Sequence, residues 1–285
     1  MSETIEPVLM RVEHITKEFP LPAGGRLKAC DDISIMIRKG ETTAIVGESG
    51  SGKSTLARTI MGLYSPDAGR VMFRGEDITS LRGEARRQNY RHIQMVFQDP
   101  ATAFNPKMKI RDIICEPLLS FEVIRRREVA DRARDLLQLV DLPAEFADRY
   151  PHSLSGGQRQ RVAIARALAL EPEIIICDEA TSALDVSVQD SVIRLLVKLQ
   201  QEKGLTYLFI CHDLALVSLF SHQVVVMKQG RVVEQLPGER LVEAKHPYTQ
   251  ALLQAVFSVH SRAVDLVPVS HCSMRHRNEQ EVAYV

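Results

Sequence analysis

The segment Gly47-Glu48-Ser49-Gly50-Ser51-Gly52-Lys53-Ser54 constrains this chain more than any other. A short apolar run, Thr42 to Val46, precedes it, and a helical pattern from Lys53 to Gly62 follows. Strand, glycine-rich turn and helix, with the spacing G-x-x-x-x-G-K-[ST], form the pattern of a phosphate-binding loop. Glycines let consecutive N–H groups curve around an anion with no Cβ in the way. The helix that follows aims its N-terminal dipole at the same place. Lys53 adds a point charge for the terminal phosphates, and the Ser54 hydroxyl is a ligand for Mg²⁺. A merely flexible Gly/Ser turn is the alternative, and the flanking strand and helix argue against it.

A second run, Ile174-Ile175-Ile176-Cys177, is apolar throughout, as expected of a strand buried on both faces of a parallel sheet. It ends in Asp178-Glu179. Beside a phosphate loop, Asp178 is placed to hold Mg²⁺ and Glu179 to polarise an attacking water. Strand-like runs at Ile93 to Phe97 and Leu205 to Cys211 alternate with helical patterns at Gln158 to Leu170 and Val188 to Glu202. That alternation predicts an α/β fold with a largely parallel sheet. Val8 to Phe19 and Ile33 to Ile37 read as strands, and Val224 to Met227 with Arg231 to Glu234 as a hairpin about Lys228-Gln229-Gly230. Arg125 to Val140 has helical periodicity and marks an inserted helical segment. Leu81 to Arg91 is basic and reads as exposed.

Leu154-Ser155-Gly156-Gly157-Gln158 stands immediately before the helical run at Gln158. Ser155 and the two glycines can present hydroxyl and N–H donors to an anion at a helix N-terminus. One phosphate group does not need two such sites in one chain, so the economical reading gives this one to the nucleotide of a second subunit. An ordinary N-cap built on Ser155 accounts for the same residues.

Taken in order, the Gly47–Ser54 loop, Gln98, Leu154–Gln158, Asp178-Glu179, Ser182-Ala183-Leu184-Asp185 and His212 resemble the ATP-binding subunits of ATP-binding-cassette (ABC) transporters, over roughly Val8 to Glu234. The resemblance implies an α/β P-loop NTPase (RecA-like) core, an N-terminal antiparallel β subdomain and an inserted α-helical subdomain at about 99–157. It implies a nucleotide-binding domain over 1–238 and a C-terminal extension over 239–285. ATP and Mg²⁺ are the implied cofactors. The loop residues from Gly47 through Thr55 would bind ATP, with Phe19 stacking on adenine. Ser155, Gly156, Gly157, Gln158 and Asp185 would reach the nucleotide site across a dimer. Ser54, Gln98 and Asp178 would hold the metal, and Glu179, Gln98 and His212 would carry hydrolysis.

Three details resemble the oligopeptide, dipeptide and nickel importers within that family. They are Phe97-Gln98-Asp99-Pro100 with Asn105-Pro106, Tyr150-Pro151-His152, and His246-Pro247-Tyr248-Thr249-Gln250-Ala251-Leu252-Leu253. The last also reads as a helix start with Pro at its first position. The implied function is ATP-driven import of peptides or nickel-type cargo. Implied partners are two membrane permease subunits, a paralogous ATPase subunit and, through the complex, an extracytoplasmic solute-binding protein. The implied place is the cytoplasmic face of the membrane, peripherally bound.

Composition narrows the alternatives. Lys plus Arg and Asp plus Glu each total 36, so the basic excess of a nucleic-acid binder is missing and no nucleic-acid partner is expected. No apolar run reaches the ~20 residues of a membrane span, and no signal peptide is expected at Met1 to Pro7. Two other readings stay in view: a soluble ABC ATPase acting on nucleic acid or ribosomes, and a non-hydrolysing ATP-binding regulator. Intact Glu179 and His212 speak against the second. The five cysteines are scattered, which fits a reducing compartment. Only Cys272 lies in the tail region where many relatives carry a Cys-rich segment, so a Cys₄ cluster is not supported. His271, Cys272 and His276 are a weak metal set. Arg125-Arg126-Arg127 reads as a solvated helix face, with anionic lipid the alternative.

Overall fold

The computed structural model describes residues 7–22, 24–182 and 184–260. Ala183, and the tail residues His271, Cys272 and His276 weighed as a metal set, lie outside them.

Two sheets organise the chain. Strands β1 (Val8–Pro20), β2 (Arg26–Arg38), β4 (Ala68–Phe73) and β5 (Glu76–Asp77) form an antiparallel sheet in the order β2-β1-β4-β5. Strands β3 (Thr42–Val46), β6 (Ile93–Val96), β7 (Ile174–Asp178), β8 (Thr206–Cys211), β9 (Gln223–Lys228) and β10 (Arg231–Pro237) form the second, in the order β10-β9-β3-β8-β7-β6. All pairings there are parallel except the β9–β10 hairpin. The β7 run is buried at every residue, as its unbroken apolar sequence requires.

Side chains alternate between the two faces of this sheet. Ile45, Ile174, Ile176, Leu208, Ile210 and Met227 join the core under the antiparallel sheet. Val46, Ile175, Cys177, Phe209, Cys211 and Val226 face the opposite core. Cys177 is fully buried there as a small apolar group.

The helices are α1 (Lys53–Ile60), α2 (Gly83–Asn89), α3 (Pro100–Ala103), α4 (Ile110–Ser120), α5 (Val129–Leu139), α6 (Gly156–Leu168), α7 (Val186–Lys203), α8 (Leu214–Ser218) and α9 (Pro247–His260). Helices α3 to α5, with 3₁₀ turns at Ala144–Asp148 and Pro151–Ser153, make the helical insertion between β6 and α6. Val129, Ala133, Leu136 and Leu137 of α5 are buried, the stripe its periodicity predicted. Arg125, Arg126 and Arg127 are exposed. Among the described residues no helix is long and apolar enough to cross a membrane.

The structure shifts several expected boundaries. Helix α1 stops at Ile60 rather than Gly62. Gly62 takes the left-handed conformation (φ 73°), and its N–H and that of Leu63 close on Thr59 O and Arg58 O. The basic Leu81–Arg91 stretch contains α2, which buries no residue. Arg125–Val140 opens with a 3₁₀ turn at Arg126–Glu128 before α5. The helix expected over Glu239 to Val256 is two pieces, a 3₁₀ segment at Gly238–Glu243 and α9. Pro247 has no N–H to continue a helix and biases the residue before it away from helical φ/ψ, so α9 starts afresh there.

Candidate functional site

Parallel strands put their C-terminal ends on one edge, and loops beyond that edge are where α/β sheets bind ligands. The register pairs Val46 with Cys211, Asp178 with Ile210 and Val96 with Cys177. The residues that follow β3, β6, β7 and β8 are therefore neighbours although 165 positions separate Gly47 from His212. They are the Gly47 loop, Gln98, Glu179 and His212.

The loop is wound tightly. A Cβ on Gly47 would lie 2.2 Å from Met227 O, and one on Gly52 would lie 2.0 Å from Ala29 O. Both glycines also take positive φ, 151° and 103°. No other residue fits either place. Inside the curl, Lys53 Nζ donates to Gly47 O (2.7 Å), Glu48 O (2.8 Å) and the Ser51 hydroxyl (3.4 Å). Lys53 is 3% exposed. Burial pushes its pKa below the ordinary 10.5, opposed by the nearby Glu179 and Asp178 carboxylates. A buried ammonium held by neutral oxygens is poised for an anion that compensates it better.

Beside it, the Ser54 hydroxyl donates to Asp178 Oδ1 at 2.7 Å. Asp178 is buried, with Arg58 3.9 Å from its other oxygen. A hydroxyl and a carboxylate at hydrogen-bond distance, both hard oxygen donors, suit a small divalent cation that keeps several of its other ligands from phosphate and water. Among the described residues no group of three His, Cys, Asp or Glu side chains gathers as a metal site. This floor therefore fits Mg²⁺ shared with a phosphate, not an all-protein metal cage.

Glu179 follows with φ 51°, a left-handed backbone uncommon for a side-chain-bearing residue, and its N–H is fixed on Ile210 O (3.0 Å). Its carboxylate accepts from Gln98 Nε2 at 2.8 Å, and the same amide reaches the Ser182 hydroxyl at 3.3 Å. The residue after β6, at the entrance to the helical insertion, thus grips the carboxylate after β7. His212 stands exposed after β8, followed by Asp213, which caps α8.

Other expected site residues lie apart from this group. Ser155 caps α6: its hydroxyl accepts from Gln158 N–H (3.3 Å), and Gln158 Oε1 accepts from Ser155 N–H (2.9 Å). Gly157 lies against Val188, and Gly156 against Leu184. Asp185 caps α7 through Val188 N–H (3.0 Å) and is exposed. Hydrogen bonds to Ser187 and to Val188 N–H hold its carboxyl below the ordinary range. Ser155 and Gly156 are exposed, so the N-terminus of α6 faces outward rather than into its own loop. Phe19, half-buried on β1, meets the Tyr64 ring edge-on at 5.4 Å.

Two contacts were not anticipated. Arg58 reaches Asp178, and its i+4 relation to Ser54 on α1 was the available signal. Tyr248 Oη accepts the Glu48 N–H at 3.1 Å across 200 positions, and no local pattern announces that.

A family model described as ABC transporter matches residues 30–182. The chain is 49% identical to the probable peptide ABC transporter ATP-binding protein y4tS of Sinorhizobium fredii, over 87% of this chain and 72% of that protein. It is 47% identical to the oligopeptide transport ATP-binding protein AppF of Bacillus subtilis, over 90% and 80%. Among solved structures it resembles the dimeric post-hydrolysis state of the ATP-binding cassette MJ0796 bound to ADP and Pi. The TM-score there is 0.73 at 31% identity, over 81% of this chain and 99% of that one. It also resembles cbiO1 of Clostridium perfringens, part of the transporter complex cbiONQ, with a TM-score of 0.74 at 30% identity over 90% and 96%.

Proposed function

The chain belongs to the ATP-binding subunits of ABC transporters, and on that premise we propose that its site hydrolyses ATP to power uptake of peptides through membrane permease partners. The observation that carries the catalytic half is the convergence of Lys53, Ser54, Asp178, Glu179 and Gln98 at one sheet edge. The peptide half rests on the relatives' names, with nickel-type cargo as the other class in the same subfamily.

The roles proposed are these. Loop N–H groups from Gly50 to Thr55 and the Lys53 ammonium bind the phosphates. Ser54 and Asp178, with Gln98, would hold Mg²⁺, which supplies charge neutralisation at the terminal phosphates. Glu179 orients and deprotonates the attacking water, and His212 donates to the terminal phosphate. Phe19 supplies the face for adenine. Residues to 238 act as the nucleotide-binding domain, and those from 239 as an extension of it.

The outward N-terminus of α6 supports a sandwich. Ser155, Gly156, Gly157 and Gln158 of one subunit would cover the nucleotide of a paralogous second subunit, and Asp185 would cross beside them. Binding then closes the pair and hydrolysis releases it, a population shift set by differential affinity for the two states. A cavity of about 300 Å³ lies beside Gln98, lined by Phe97, Pro100, Phe104, Pro117, Phe121 and Arg166. It lies between the strand core and the helical insertion, and in this reading it receives a permease segment, with the chain at the cytoplasmic face of a membrane. A solute-binding protein would deliver cargo on the other side.

The test is uptake in cells lacking this gene, with labelled oligopeptide, dipeptide and nickel supplied separately. Wild-type and Glu179→Gln chains are reintroduced in parallel. Peptide uptake is lost and only wild type restores it. Uptake unchanged for all three would refute the importer reading, and loss of nickel alone would reassign the cargo.

A further inference from the structure

Beside its own Lys53, the loop from Gly47 to Gly52 is approached from β9, from the β9–β10 turn and from the C-terminal extension. Met227 O closes on Gly47 from β9. Gly230 N–H, in the β9–β10 turn, donates to Ser51 O at 3.0 Å. The third approach is Tyr248, whose hydroxyl accepts the Glu48 N–H.

Tyr248 is itself rigidly placed. The Glu234 carboxylate on β10 accepts the N–H groups of Lys245 (2.7 Å) and His246 (3.3 Å), just before α9. His246 Nδ1 accepts the Tyr248 N–H at 3.2 Å, and Gln250 Nε2 returns to Ala244 O at 3.0 Å. Tyr248 is 8% exposed, with Lys228 Nζ 4.5 Å from its ring centroid. Thr249 beside it is fully buried. Glu48, Ser49 and Gly50 are by contrast exposed. The exposed arc of the loop is thus tied, through one hydroxyl, to a clamped helix of the C-terminal extension.

We propose that Tyr248 is a positioning residue for the phosphate-binding loop, its hydroxyl holding Glu48 so that the loop is ordered before nucleotide arrives. This rests on reading Gly47–Thr55 as the nucleotide loop. Pre-ordering lowers the ordering cost of binding and leaves the chemical step alone. The Glu48 N–H is committed to Tyr248, so the remaining loop N–H groups are those left for the anion. Without the hydroxyl, Lys53 still holds the Gly47 and Glu48 carbonyls, but the Glu48 N–H loses its partner and is left for the nucleotide to order.

Tyr248→Phe keeps the ring, its burial and the Lys228 contact, and removes only the acceptor. The full chain is titrated with a fluorescent ATP analogue and its ATPase kinetics measured, with Lys53→Ala in parallel. One lost hydrogen bond corresponds to an about three- to tenfold weaker Kd and a matching rise in KM, with kcat unchanged. Tyr248→Phe with wild-type Kd and KM, while Lys53→Ala binds weakly, overturns the role of Tyr248 and leaves the loop reading intact. A fall in kcat at unchanged KM also overturns it. Lys53→Ala binding as tightly as wild type overturns the loop reading and the proposal together. Tyr248→Ala, which also empties the ring's place, serves as the packing control. If it weakens Kd while Tyr248→Phe does not, the residue is merely structural.

Discussion

Gly156 and Gly157 are adjacent at the start of α6, yet the structure gives them different jobs. A Cβ on Gly156 would meet only Leu184 Cδ2, at 3.5 Å, which is ordinary contact. A Cβ on Gly157 would lie 2.4 Å from Val188 Cγ1, with Val188 Cβ at 3.7 Å and Cγ2 at 3.8 Å. Alanine in place of glycine favours a helix by at most about 1 kcal/mol at such a position. For Gly156→Ala nothing opposes that gain, so stability is unchanged or rises. For Gly157→Ala one methyl of Val188 must move. Val188 is β-branched on α7, where one χ1 rotamer dominates, so the clash is not relieved by a free rotation. Overpacking of this kind costs about 1–3 kcal/mol, and the net loss is about 1–2 kcal/mol after the propensity gain.

Val188→Ala removes the clashing methyl and leaves Cβ at normal distance. The double variant Gly157→Ala/Val188→Ala should therefore recover most of the loss, with a coupling of about 1–2 kcal/mol in the cycle. Urea unfolding of the four chains measures it. Equal stability of Gly156→Ala and Gly157→Ala, or zero coupling with Val188, would refute the close-approach argument. The same pair separates fold from function. Gly156→Ala folds as wild type, so any loss of ATP turnover it shows belongs to the exposed face of α6 rather than to its packing.

Two further outcomes follow from the site. Glu179→Gln should lower ATP turnover by about 10²–10⁴-fold while keeping nucleotide affinity, read by phosphate release beside a binding titration, and ATP should trap it as a dimer on size exclusion; fast hydrolysis by this variant excludes Glu179 as the base. Burial pushes the thiols of Cys30, Cys177 and Cys211 up to about 12 and that of Cys115 to about 11, from an ordinary 9.0. Their folded pKa values are raised, so their contribution to stability is complete below pH 9 and is lost as the unfolded thiols ionise between 9 and about 12. Denaturation midpoints should fall through that window, and Cys177→Val should fall less; a parallel slope for that variant would refute the assignment.

Where the chain's chemistry depends on a strand end, it was legible in sequence. Val46, Cys177 and Cys211 close apolar runs, and each hands over at once to a site residue: the glycine that opens the loop at 47, Asp178 and His212. Parallel pairing then aligns those ends without further information. The run at β6 is shorter, ending at Val96 rather than Phe97, which leaves Phe97 exposed beside Gln98. Helix α4 lies within the helical insertion expected at about 99–157 but drew no range of its own, because Pro117 interrupts its pattern with a residue that cannot donate to the carbonyl one turn back.

The segment Leu154–Gln158 shows a different limit. Its two readings, cap and anion site, use the same atoms in different states. The described chain satisfies Ser155 internally through Gln158, so the cap is visible here, whereas an anion contact needs a second subunit to be seen. Tyr248 is harder still. Its hydroxyl matters through an N–H donor 200 positions away, fixed only once β9, β10 and α9 have packed. Neither periodicity nor propensity encodes such a contact, because both describe neighbours along the chain. The sequence-specific part is a single oxygen on an otherwise ordinary buried aromatic, and phenylalanine would satisfy the core equally well. A reason for tyrosine there exists only at the loop, which makes the hydroxyl a functional choice rather than a packing one.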